Sequence, residues 1–347
     1  MTPTTSVDEI LSRSREATQP ALREAVGRLP ASIRLLAAYH FGWSDTKGNP
    51  LSGSVGKGIR PTLALLSARA AWAEAEVGLP GGVAIELVHN YSLIHDDIID
   101  GDLERHHRPT VWSVWGVGPA IIAGDALENL AHQILLEASP TTGPAAAAAL
   151  SAATAEMIAG QADDIAFEQR RNVGVEECMA MSEAKTGALL GCAASIGAIL
   201  AAAPDATVGA LRDFGRHLGL AFQAVDDLLG IWGDPGRTGK PAGNDLRNRK
   251  KSMPVVAALA GGGDDAEELR ALILGAPGDT GELAVLDDEQ IGRATYLVEA
   301  CGGREWTTVR AKSHLDSALG ALDRVRMSAI PHRELADIAA YVVERES

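Results

Sequence analysis

Three aspartates follow an apolar stretch in the first third of the chain: Asp96, Asp97 and Asp100 come directly after residues 86–95. Asp96 and Asp100 are four residues apart, so a helix places their carboxylates one turn apart on one face. Three negative charges at that spacing repel one another and cost stability. Because the cluster follows an apolar run rather than a charged one, we expect a cation to neutralise it.

A second apolar stretch, residues 220–230, delivers the adjacent pair Asp226 and Asp227 near its end. Oxygen ligands without a nearby His/Cys cluster suit a hard cation, and Mg²⁺ is the usual choice. Mg²⁺ keeps several waters and is commonly shared between a few carboxylates and substrate phosphates. Two such helix ends that face each other would form a metal-bridged diphosphate site. The alternative is two solvated acidic helix ends, which two matching Asp pairs make the less favoured interpretation.

Helices have to position both clusters. The composition is rich in Ala with only 4% aromatic residues, and no run of strand length alternates between apolar and polar residues. We therefore predict an all-α chain with a single domain over residues 1–347. An N-terminal helix occupies residues 1–30 of that domain, and the glycine-rich, acidic residues 261–286 form a soft peripheral segment.

Apolar periodicity and breaker residues locate the helices. The predicted helices cover residues 6–29, 61–77, a long segment after Gly82 that carries Asp96, 120–136, 145–169, 175–202, 206–229, 254–259, 288–300, 305–326 and 332–344. Residues 41–58 and 231–249 contain several glycines and are predicted loops. The second loop has the composition of an active-site lid.

The charge of the chain excludes some classes of partner. The net charge is −15 and the pI is about 5.0, so a general nucleic-acid binder or a protein of anionic membrane surfaces is not expected. An acidic protein that handles diphosphates must supply cations locally, and the candidates are Lys57, Arg60, Arg105, Lys185, Lys240 and Lys250. No run of residues is typical of a membrane span or of a signal peptide. The three cysteines form no CxxC and indicate reduced thiols in a cytoplasmic protein.

An ordered series of motifs resembles the trans-isoprenyl diphosphate synthase (polyprenyl synthetase) family. The two aspartate clusters match its two Asp-rich motifs, and residues 105–110 resemble its RRxxPT segment. Further matches occur in the family's order at Gly56-Lys57-Gly58-Ile59-Arg60-Pro61, Gly160-Gln161 with Asp164, Lys185-Thr186-Gly187, Phe222-Gln223, Gly233-Asp234, Gly239-Lys240-Pro241, Asp245-Leu246 and Lys250-Lys251-Ser252-Met253-Pro254. The similarity runs from about residue 30 to the end of the chain, and so many motifs in one order are very specific.

The resemblance implies a helical bundle of the isoprenoid synthase type, with a central cavity between helices. It also implies a short-chain prenyltransferase that joins an allylic prenyl diphosphate to isopentenyl diphosphate, with Mg²⁺, about three ions, as cofactor. On this basis Asp96, Asp97, Asp100, Asp226 and Asp227 are expected metal ligands, and Asp96, Asp97, Lys185 and Lys240 are expected to assist catalysis. Expected substrate-binding residues are Lys57, Arg60, His89, Arg105, His106, Gln223, Lys250 and Tyr91. The departed diphosphate is thought to take the proton, so no dedicated catalytic base is predicted.

Tyr91 is expected to limit the length of the product. By resemblance this residue, five positions before Asp96, lies on the wall that stops chain growth. A helix places it one to two turns below the aspartate pair. A bulky ring at that depth indicates products of C15 to C20.

Two positions depart from the family pattern. His106 replaces the second Arg of RRxxPT, which helps to hold isopentenyl diphosphate in relatives, and Gly230 replaces the third Asp of the second motif. His106 keeps a second hypothesis open, a terpene cyclase of the same fold that needs no isopentenyl diphosphate. A third hypothesis is an inactive regulatory subunit of a heteromeric synthase, although the intact aspartates argue against it. By analogy with the family, a homodimer is also expected.

Overall fold

The fold is described from a computed structural model that covers residues 6–51, 56–234, 236, 242–275 and 284–343. Helices make up most of these residues, so the predicted all-α class is confirmed. The chain divides into two compact units. The first unit contains residues 1–154, 189–215 and 321–338, and the second contains residues 155–188, 216–320 and 339–347. The single domain over residues 1–347 remains a prediction.

The elements follow one another along the chain with short connections. In the part of the chain up to residue 138 they are α1 (Val7–Gly27), α2 (Ala31–His40), α3 (Ile59–Ala70), a 3₁₀ turn (Ala75–Gly78), α4 (Leu79–Ile99), β1 (Glu104–Arg105), β2 (Arg108–Pro109), α5 (Val111–Trp115) and α6 (Val117–Ala138). They continue with α7 (Gly143–Gln169), α8 (Val175–Ser182), a π-helical segment (Glu183–Gly187), α9 (Ala188–Leu200) and α10 (Asp205–Trp232). The last are α11 (Asn244–Arg247), α12 (Met253–Leu259), α13 (Asp264–Leu274), α14 (Asp288–Ala300), α15 (Gly303–Leu322) and α16 (Ala329–Val343).

Most predicted helices are present, with local differences. α1 begins after a capping box in which the Ser6 hydroxyl accepts from the Glu9 amide and the Glu9 carboxylate accepts from the Ser6 amide. α2 was not predicted. α3 ends at Ala70 rather than near Val77, because Trp72 adopts a positive φ of 67° and reverses the chain.

One feature was not predicted, and one prediction needs correction. The unpredicted feature is the pair β1 and β2, two strands of two residues each that pair antiparallel as a minimal hairpin. The segment 261–286 is not uniformly soft, because it contains α13, whose Leu269 is fully buried in a core with Val255 and Leu297. Residues 276–283 of that segment lie outside the described part of the chain.

In the first unit, glycines let helix backbones approach closely. A Cβ on Gly197 of α9 would lie 2.0 Å from the Ala64 carbonyl oxygen of α3, and one on Gly81 of α4 would lie 2.7 Å from Ile196. Fully buried Leu63, Ile85 and other aliphatic side chains occupy the space around these contacts. This packing fixes α3 and α4, the helices that carry Arg60 and Asp97.

The core of the second unit has two clusters. One gathers α11 to α14 around Leu246, Val255 and Leu297. The other packs Cys178 of α8 against Val225 of α10 and Met253 of α12, among other residues. Since Asp226 and Asp227 follow Val225 directly, this second cluster sets the position of the second aspartate pair.

Among the described residues, one continuous helical stretch is long and apolar enough to cross a membrane by length and composition. It covers residues 175–200, and 72% of its apolar window is buried inside the protein. A core helix passes the same test, so the stretch is weak evidence for a span.

Candidate active site

The first aspartate cluster lies at the carboxyl end of α4. Asp97 is only 1% exposed, Asp96 is half-buried, and Asp100 is exposed as the C-cap residue. The predicted spacing on one helix is therefore confirmed, with Asp97 turned into the protein. The three carboxylates therefore differ in their exposure to water.

Asp97 is held by a cation but keeps one oxygen available. The Arg105 Nε donates to Asp97 Oδ1 at 2.7 Å, whereas the buried Oδ2 has no hydrogen-bond partner. Burial raises the pKa of the carboxyl group above its ordinary value, and the nearby Arg105 opposes that shift. A buried oxygen without a partner is costly in the ligand-free protein and suits a bound cation.

The hairpin after α4 explains how Arg105 is presented. Arg105 pairs with Arg108 across β1 and β2, and both residues of the intervening turn, His106 and His107, have positive φ values of 52° and 60°. Two positive φ values are what a tight two-residue hairpin turn requires. The Arg108 guanidinium donates to the backbone carbonyls of Tyr39 and Ser44.

A cleft opens beside this hairpin. It is lined by Asp97, Arg105 and His106, which are among the predicted site residues, and also by His40 and Asn90, which sequence reasoning missed. Burial, followed by the charge of Arg105, lowers the pKa of His40 to about 3, so this imidazole is neutral. His40 belongs to none of the motifs in the sequence. It reaches the cleft only through the position of α2, which was not predicted.

Arg60 and His89 meet in the same unit. Arg60 Nη1 lies 3.3 Å from His89 Nε2, and since arginine only donates, this imidazole nitrogen is the acceptor. Burial lowers the pKa of His89 well below its ordinary value, and the charge of Arg60 lowers it further. Lys57 is exposed just before α3, whose N-cap Gly58 has a φ of 69°. The structure thus brings together Arg60 and His89, two of the residues that the resemblance implies for substrate binding.

The second aspartate pair lies near the end of α10. Asp226 is exposed, whereas Asp227 is 3% exposed and accepts two hydrogen bonds. The Gln223 amide donates to Asp227 Oδ1 at 2.8 Å, and the Met253 backbone N–H donates to Oδ2 at 2.9 Å. Burial raises the pKa of Asp227 to about 6, although the charge of Lys250 opposes the shift.

Lys250 is surrounded by acidic groups of its own unit. Desolvation alone would lower its pKa, but Asp227, Asp245 and Asp164, together with Asp226, raise the pKa above its ordinary value. This ammonium group is therefore held as a fixed positive charge beside the second aspartate pair. Its predicted place in a diphosphate site is consistent with these neighbours.

Lys185 lies in the π-helical segment between α8 and α9. Its Nζ donates to Asp164 Oδ2 at 2.6 Å, a pairing that sequence reasoning missed although Asp164 was part of a recognised motif. Thr186 donates to Gln223 Oε1 at 2.8 Å, and Gln223 in turn holds Asp227. Single π turns are frequent at functional sites, and here one links Thr186, the neighbour of Lys185, to Asp227 through two hydrogen bonds.

Glycines of α7 and α10 allow close contacts with this π-helical segment. A Cβ on Gly160 of α7 would lie 2.4 Å from the Lys185 backbone nitrogen, and one on Gly219 of α10 would lie 2.6 Å from the Gly187 Cα. The small residues after Lys185 were predicted to permit close helix approach, and Gly187 does so.

The departure at Gly230 has a structural explanation. A Cβ on Gly230 would lie 2.4 Å from Asp245 Oδ2, so the Asp245 carboxylate occupies the space that a side chain at position 230 would need. The charge of Asp245 also acts to raise the pKa of Asp227 and the pKa of Lys250. The second cluster therefore has a nearby third carboxylate, from α11, that its own motif lacks.

Tyr91 lies on α4 and is half-buried. Its ring makes an edge contact with the His95 ring, with centroids 4.8 Å apart. Burial raises the pKa of Tyr91, with the charges of Glu128 and Asp125 adding to the shift. His95 in turn fills the space above Gly124 of α6, where a Cβ would lie 2.3 Å from the His95 Nε2.

The donor set fits a hard cation that also binds the substrate. Among the residues that the structure describes, no group of three or more metal-ligating side chains converges on one point. Mg²⁺ typically takes one or two carboxylates and completes its shell with water and phosphate oxygens, so this finding fits that mode of binding. The buried Asp97 Oδ2, which has no hydrogen-bond partner, also suits a bound cation. The prediction for Lys240 lies outside the described residues.

Comparison with known proteins gives a consistent result. The family model for polyprenyl synthetases matches residues 47–286. The chain is 45% identical over 339 residues to the (2E,6E)-farnesyl diphosphate synthase of Mycobacterium tuberculosis, covering 97% of this chain and 93% of that protein.

Two solved structures resemble the fold closely. A polyprenyl synthetase from Streptomyces coelicolor is 49% identical with a TM-score of 0.93, covering 97% of this chain and all of that one. A geranylgeranyl pyrophosphate synthase from Corynebacterium glutamicum, complexed with isoprenyl diphosphate and magnesium, is 27% identical with a TM-score of 0.81, covering 98% and 99% of the two chains.

Proposed function

We propose that this chain, which belongs to the polyprenyl synthetase family, condenses an allylic prenyl diphosphate with isopentenyl diphosphate. The similar proteins of known function are named prenyl diphosphate synthases, and the similarity covers nearly their whole length. They favour the short-chain prenyltransferase over the cyclase and over the inactive subunit. The observation that carries the proposal is the paired Asp97 and Arg105 beside a cleft that Arg108 and His106 also line.

We propose Mg²⁺ as the cofactor, held by Asp96, Asp97 and Asp100 of the first cluster and by Asp226 and Asp227 of the second. When bound, Mg²⁺ supplies positive charge that stabilises the departing diphosphate. The magnesium in a related synthase supports this assignment. The expectation of about three ions remains part of the proposal.

Fixed cations of the chain assist the departure of the diphosphate. Arg105 binds a phosphate oxygen through its forked donors while its Nε keeps Asp97 in place. Lys185 and Lys250 add positive charge, each oriented by carboxylates of its own unit. Lys240 is proposed for the same task on the motif alone. Because no proton acceptor is needed beyond the released diphosphate, the chain requires no dedicated base.

The second substrate is proposed to bind at Lys57, Arg60, His89 and His106. Arg60 and His89 are in contact, and His106 lines the cleft beside Arg105. A histidine at position 106 still offers a donor to phosphate, although its charge depends on pH in a way that an arginine does not. This residue is therefore expected to weaken binding of isopentenyl diphosphate without abolishing it.

Product length is proposed to be C15 to C20. Tyr91 lies on α4 one to two turns before Asp97, half-buried and braced by His95. A related farnesyl synthase and a related geranylgeranyl synthase bracket the same range. The ring of Tyr91 would stop the growing chain by filling its path.

We also propose a cytoplasmic homodimer. α5 and α6 expose Val114, Val117, Ile121 and Ile122, an apolar surface that a second copy would cover. Cys178 and Cys192 are buried free thiols, consistent with a reducing compartment. Ile122→Glu should shift the protein toward monomer in light scattering, and a monomeric wild-type protein would refute the dimer.

The decisive experiment for the reaction is a substrate panel with Mg²⁺. Dimethylallyl, geranyl and farnesyl diphosphate are each incubated with and without isopentenyl diphosphate, and the products are identified after phosphatase treatment. We expect C15 or C20 alcohols that form only when isopentenyl diphosphate is present. A cyclic hydrocarbon without isopentenyl diphosphate would support the cyclase, and no turnover of any substrate would support the regulatory subunit.

A further inference from the structure

Two arginines lie opposite each other in the hairpin that follows α4. Arg105 of β1 pairs with Arg108 of β2, so their side chains leave the same face of the two-stranded sheet. Like charges directly opposite each other destabilise a strand pair. Each guanidinium therefore needs acceptors of its own, and the two arginines find them in different helices of the first unit.

Arg105 uses a charged acceptor on α4. Its Nε donates to Asp97 Oδ1 at 2.7 Å. The Arg105 side chain is 26% exposed and lines the cleft. This is the guanidinium that is proposed to bind a phosphate oxygen of the substrate, so its placement matters for the reaction.

Arg108 uses neutral acceptors from α2 and the loop that follows it. Its Nη1 donates to the Tyr39 backbone carbonyl at 3.1 Å, and its Nη2 donates to the Ser44 carbonyl at 3.0 Å. The Arg108 guanidinium carbon also lies 4.4 Å from the centroid of the Tyr39 ring, which is a cation–π contact. Although Arg108 lines the cleft, both of its Nη nitrogens therefore bind β2 to the end of α2.

Tyr39 holds the next residue of the same strand. Its hydroxyl donates to the Pro109 backbone carbonyl at 2.8 Å. Tyr39 is only 5% exposed, and its ring makes an edge contact with Trp115 of α5, with centroids 4.9 Å apart. A buried tyrosine whose hydroxyl and ring both have partners is held in one position. Tyr39 thus contacts both residues of β2, Arg108 and Pro109.

The start of the hairpin is fixed separately. The Thr110 hydroxyl and the Trp112 indole N–H each donate to the Asp102 backbone carbonyl at 2.8 Å. Asp102 precedes β1, which has only two residues and pairs with β2. A ladder this short is marginal without outside support. The position of Arg105 therefore depends on how firmly β2 is held.

We propose that Tyr39 and Arg108 are positioning residues for Arg105, because they fix β2 and β2 fixes the strand from which Arg105 reaches Asp97. Neither residue has to touch the substrate for this task. The inference rests on the proposed role of Arg105 in the departure of the diphosphate.

Two variants weaken this support in different ways. Tyr39→Phe removes the hydrogen bond to Pro109 and keeps the ring beside Arg108. Arg108→Lys keeps the positive charge but loses the fork that reaches two carbonyls. We expect kcat to fall about fivefold in Tyr39→Phe and about tenfold in Arg108→Lys. KM for geranyl diphosphate should change less than about twofold, because Arg105 acts in the transition state.

The chain offers a matched control in α14. Tyr296 is 58% exposed, and the Arg293 guanidinium carbon lies 5.2 Å from the centroid of its ring. Tyr296→Phe therefore makes the same chemical change beside another arginine and should leave kcat unchanged. Circular dichroism and the melting temperature show whether each variant is folded.

The decisive measurement is a double-mutant cycle with Arg105→Lys. If Tyr39 acts through Arg105, Tyr39→Phe should lower kcat about fivefold in the wild-type background but less than about twofold when residue 105 is already lysine. A general loss of structure would lower kcat by the same factor in both backgrounds.

The proposal is overturned if Tyr39→Phe and Arg108→Lys leave kcat unchanged, or if the loss in Tyr39→Phe is equal in the two backgrounds. Arg105→Lys alone separates this failure from that of the proposed function. If Arg105→Lys lowers kcat and the losses multiply independently, only the positioning role fails. If Arg105→Lys has the kcat of the wild type, the proposed role of Arg105 in the departure of the diphosphate fails as well.

Discussion

The two aspartate clusters look alike in the sequence but differ in how their buried members are bound. In the first cluster, Asp97 receives one hydrogen bond from the cation Arg105 and leaves a buried oxygen without a partner. In the second, each oxygen of Asp227 accepts a hydrogen bond from a neutral donor, the Gln223 amide or the Met253 N–H. One oxygen of Asp97 is therefore fully available to a ligand, whereas each oxygen of Asp227 already accepts one hydrogen bond and has one lone pair left.

This difference assigns different tasks to similar residues. Asp97 is prepared to coordinate a metal directly through its unpartnered oxygen. Asp227 is better placed to orient its surroundings, through Gln223 to Thr186 and through its charge to Lys250. We therefore propose the exposed Asp226 as the more direct of the two metal ligands in the second cluster. Variants at the two clusters should therefore differ in size of effect.

The largest effect is expected at Asp97. Asp97→Ala removes the ligand oxygen and the partner of Arg105, so kcat should fall by about 10³-fold or more. Circular dichroism should show an intact fold. Asp316→Ala, an exposed aspartate of α15, is the control and should keep full activity. Retained turnover in Asp97→Ala would contradict the metal assignment.

Next in size is the contrast within the second cluster. We expect Asp226→Asn to lower kcat by about 10²-fold, and Asp227→Asn by only about tenfold, because asparagine can keep an acceptor for the Met253 N–H. The measurement is kcat at saturating Mg²⁺ and substrates. A larger loss in Asp227→Asn than in Asp226→Asn would reverse the roles given to these residues.

A smaller loss is expected from a methyl group at the π-helical segment. In Gly160→Ala the new Cβ would meet the Lys185 backbone nitrogen at 2.4 Å, so the segment must shift and Lys185 with it. We expect kcat to fall by about tenfold. Gly292→Ala in α14, where a Cβ meets nothing within 4 Å, is the matched control and should leave kcat unchanged. Equal kcat in both variants would show that the close approach is not needed for catalysis.

The smallest effect concerns stability and pH in the absence of metal. The pKa of Asp227 is raised to about 6, so the folded state favours its protonated form, and this stabilisation is lost as the pH rises through that value. Asparagine does not titrate. In EDTA, the melting temperature of Asp227→Asn relative to wild type should therefore rise as the pH increases from about 4 to about 7. A difference that stays constant with pH would show that the Asp227 carboxyl is not desolvated.

Much of the candidate site could be predicted because its residues are close in sequence. The spacing of Asp96, Asp97 and Asp100 depends only on helix geometry, and the structure places the first two in α4 and the third at its C-cap. The sequence could not predict that the Met253 amide would bind Asp227, since that contact joins residues 26 positions apart. Nor could it show Asp245 beside Gly230, because the contact depends on the chain folding back after α10.

The fold shows the same limit. Helical periodicity located the long helices, but it could not distinguish the π-helical segment around Lys185 from the α-helix on either side. That segment differs only in its hydrogen bonding, and the close glycine contacts that α7 and α10 make with it join residues far apart in the sequence. The hairpin that carries Arg105 was missed because each strand has only two residues, too few for any alternation.

The central claim is that carboxylate-bound magnesium enables the diphosphate to depart from the allylic substrate. The most direct test measures pyrophosphate release from geranyl diphosphate and isopentenyl diphosphate after exhaustive treatment with EDTA, followed by titration with Mg²⁺. We predict that release stops on chelation and returns with Mg²⁺ in the wild type, but does not return in Asp97→Ala. Undiminished release after chelation would contradict the account.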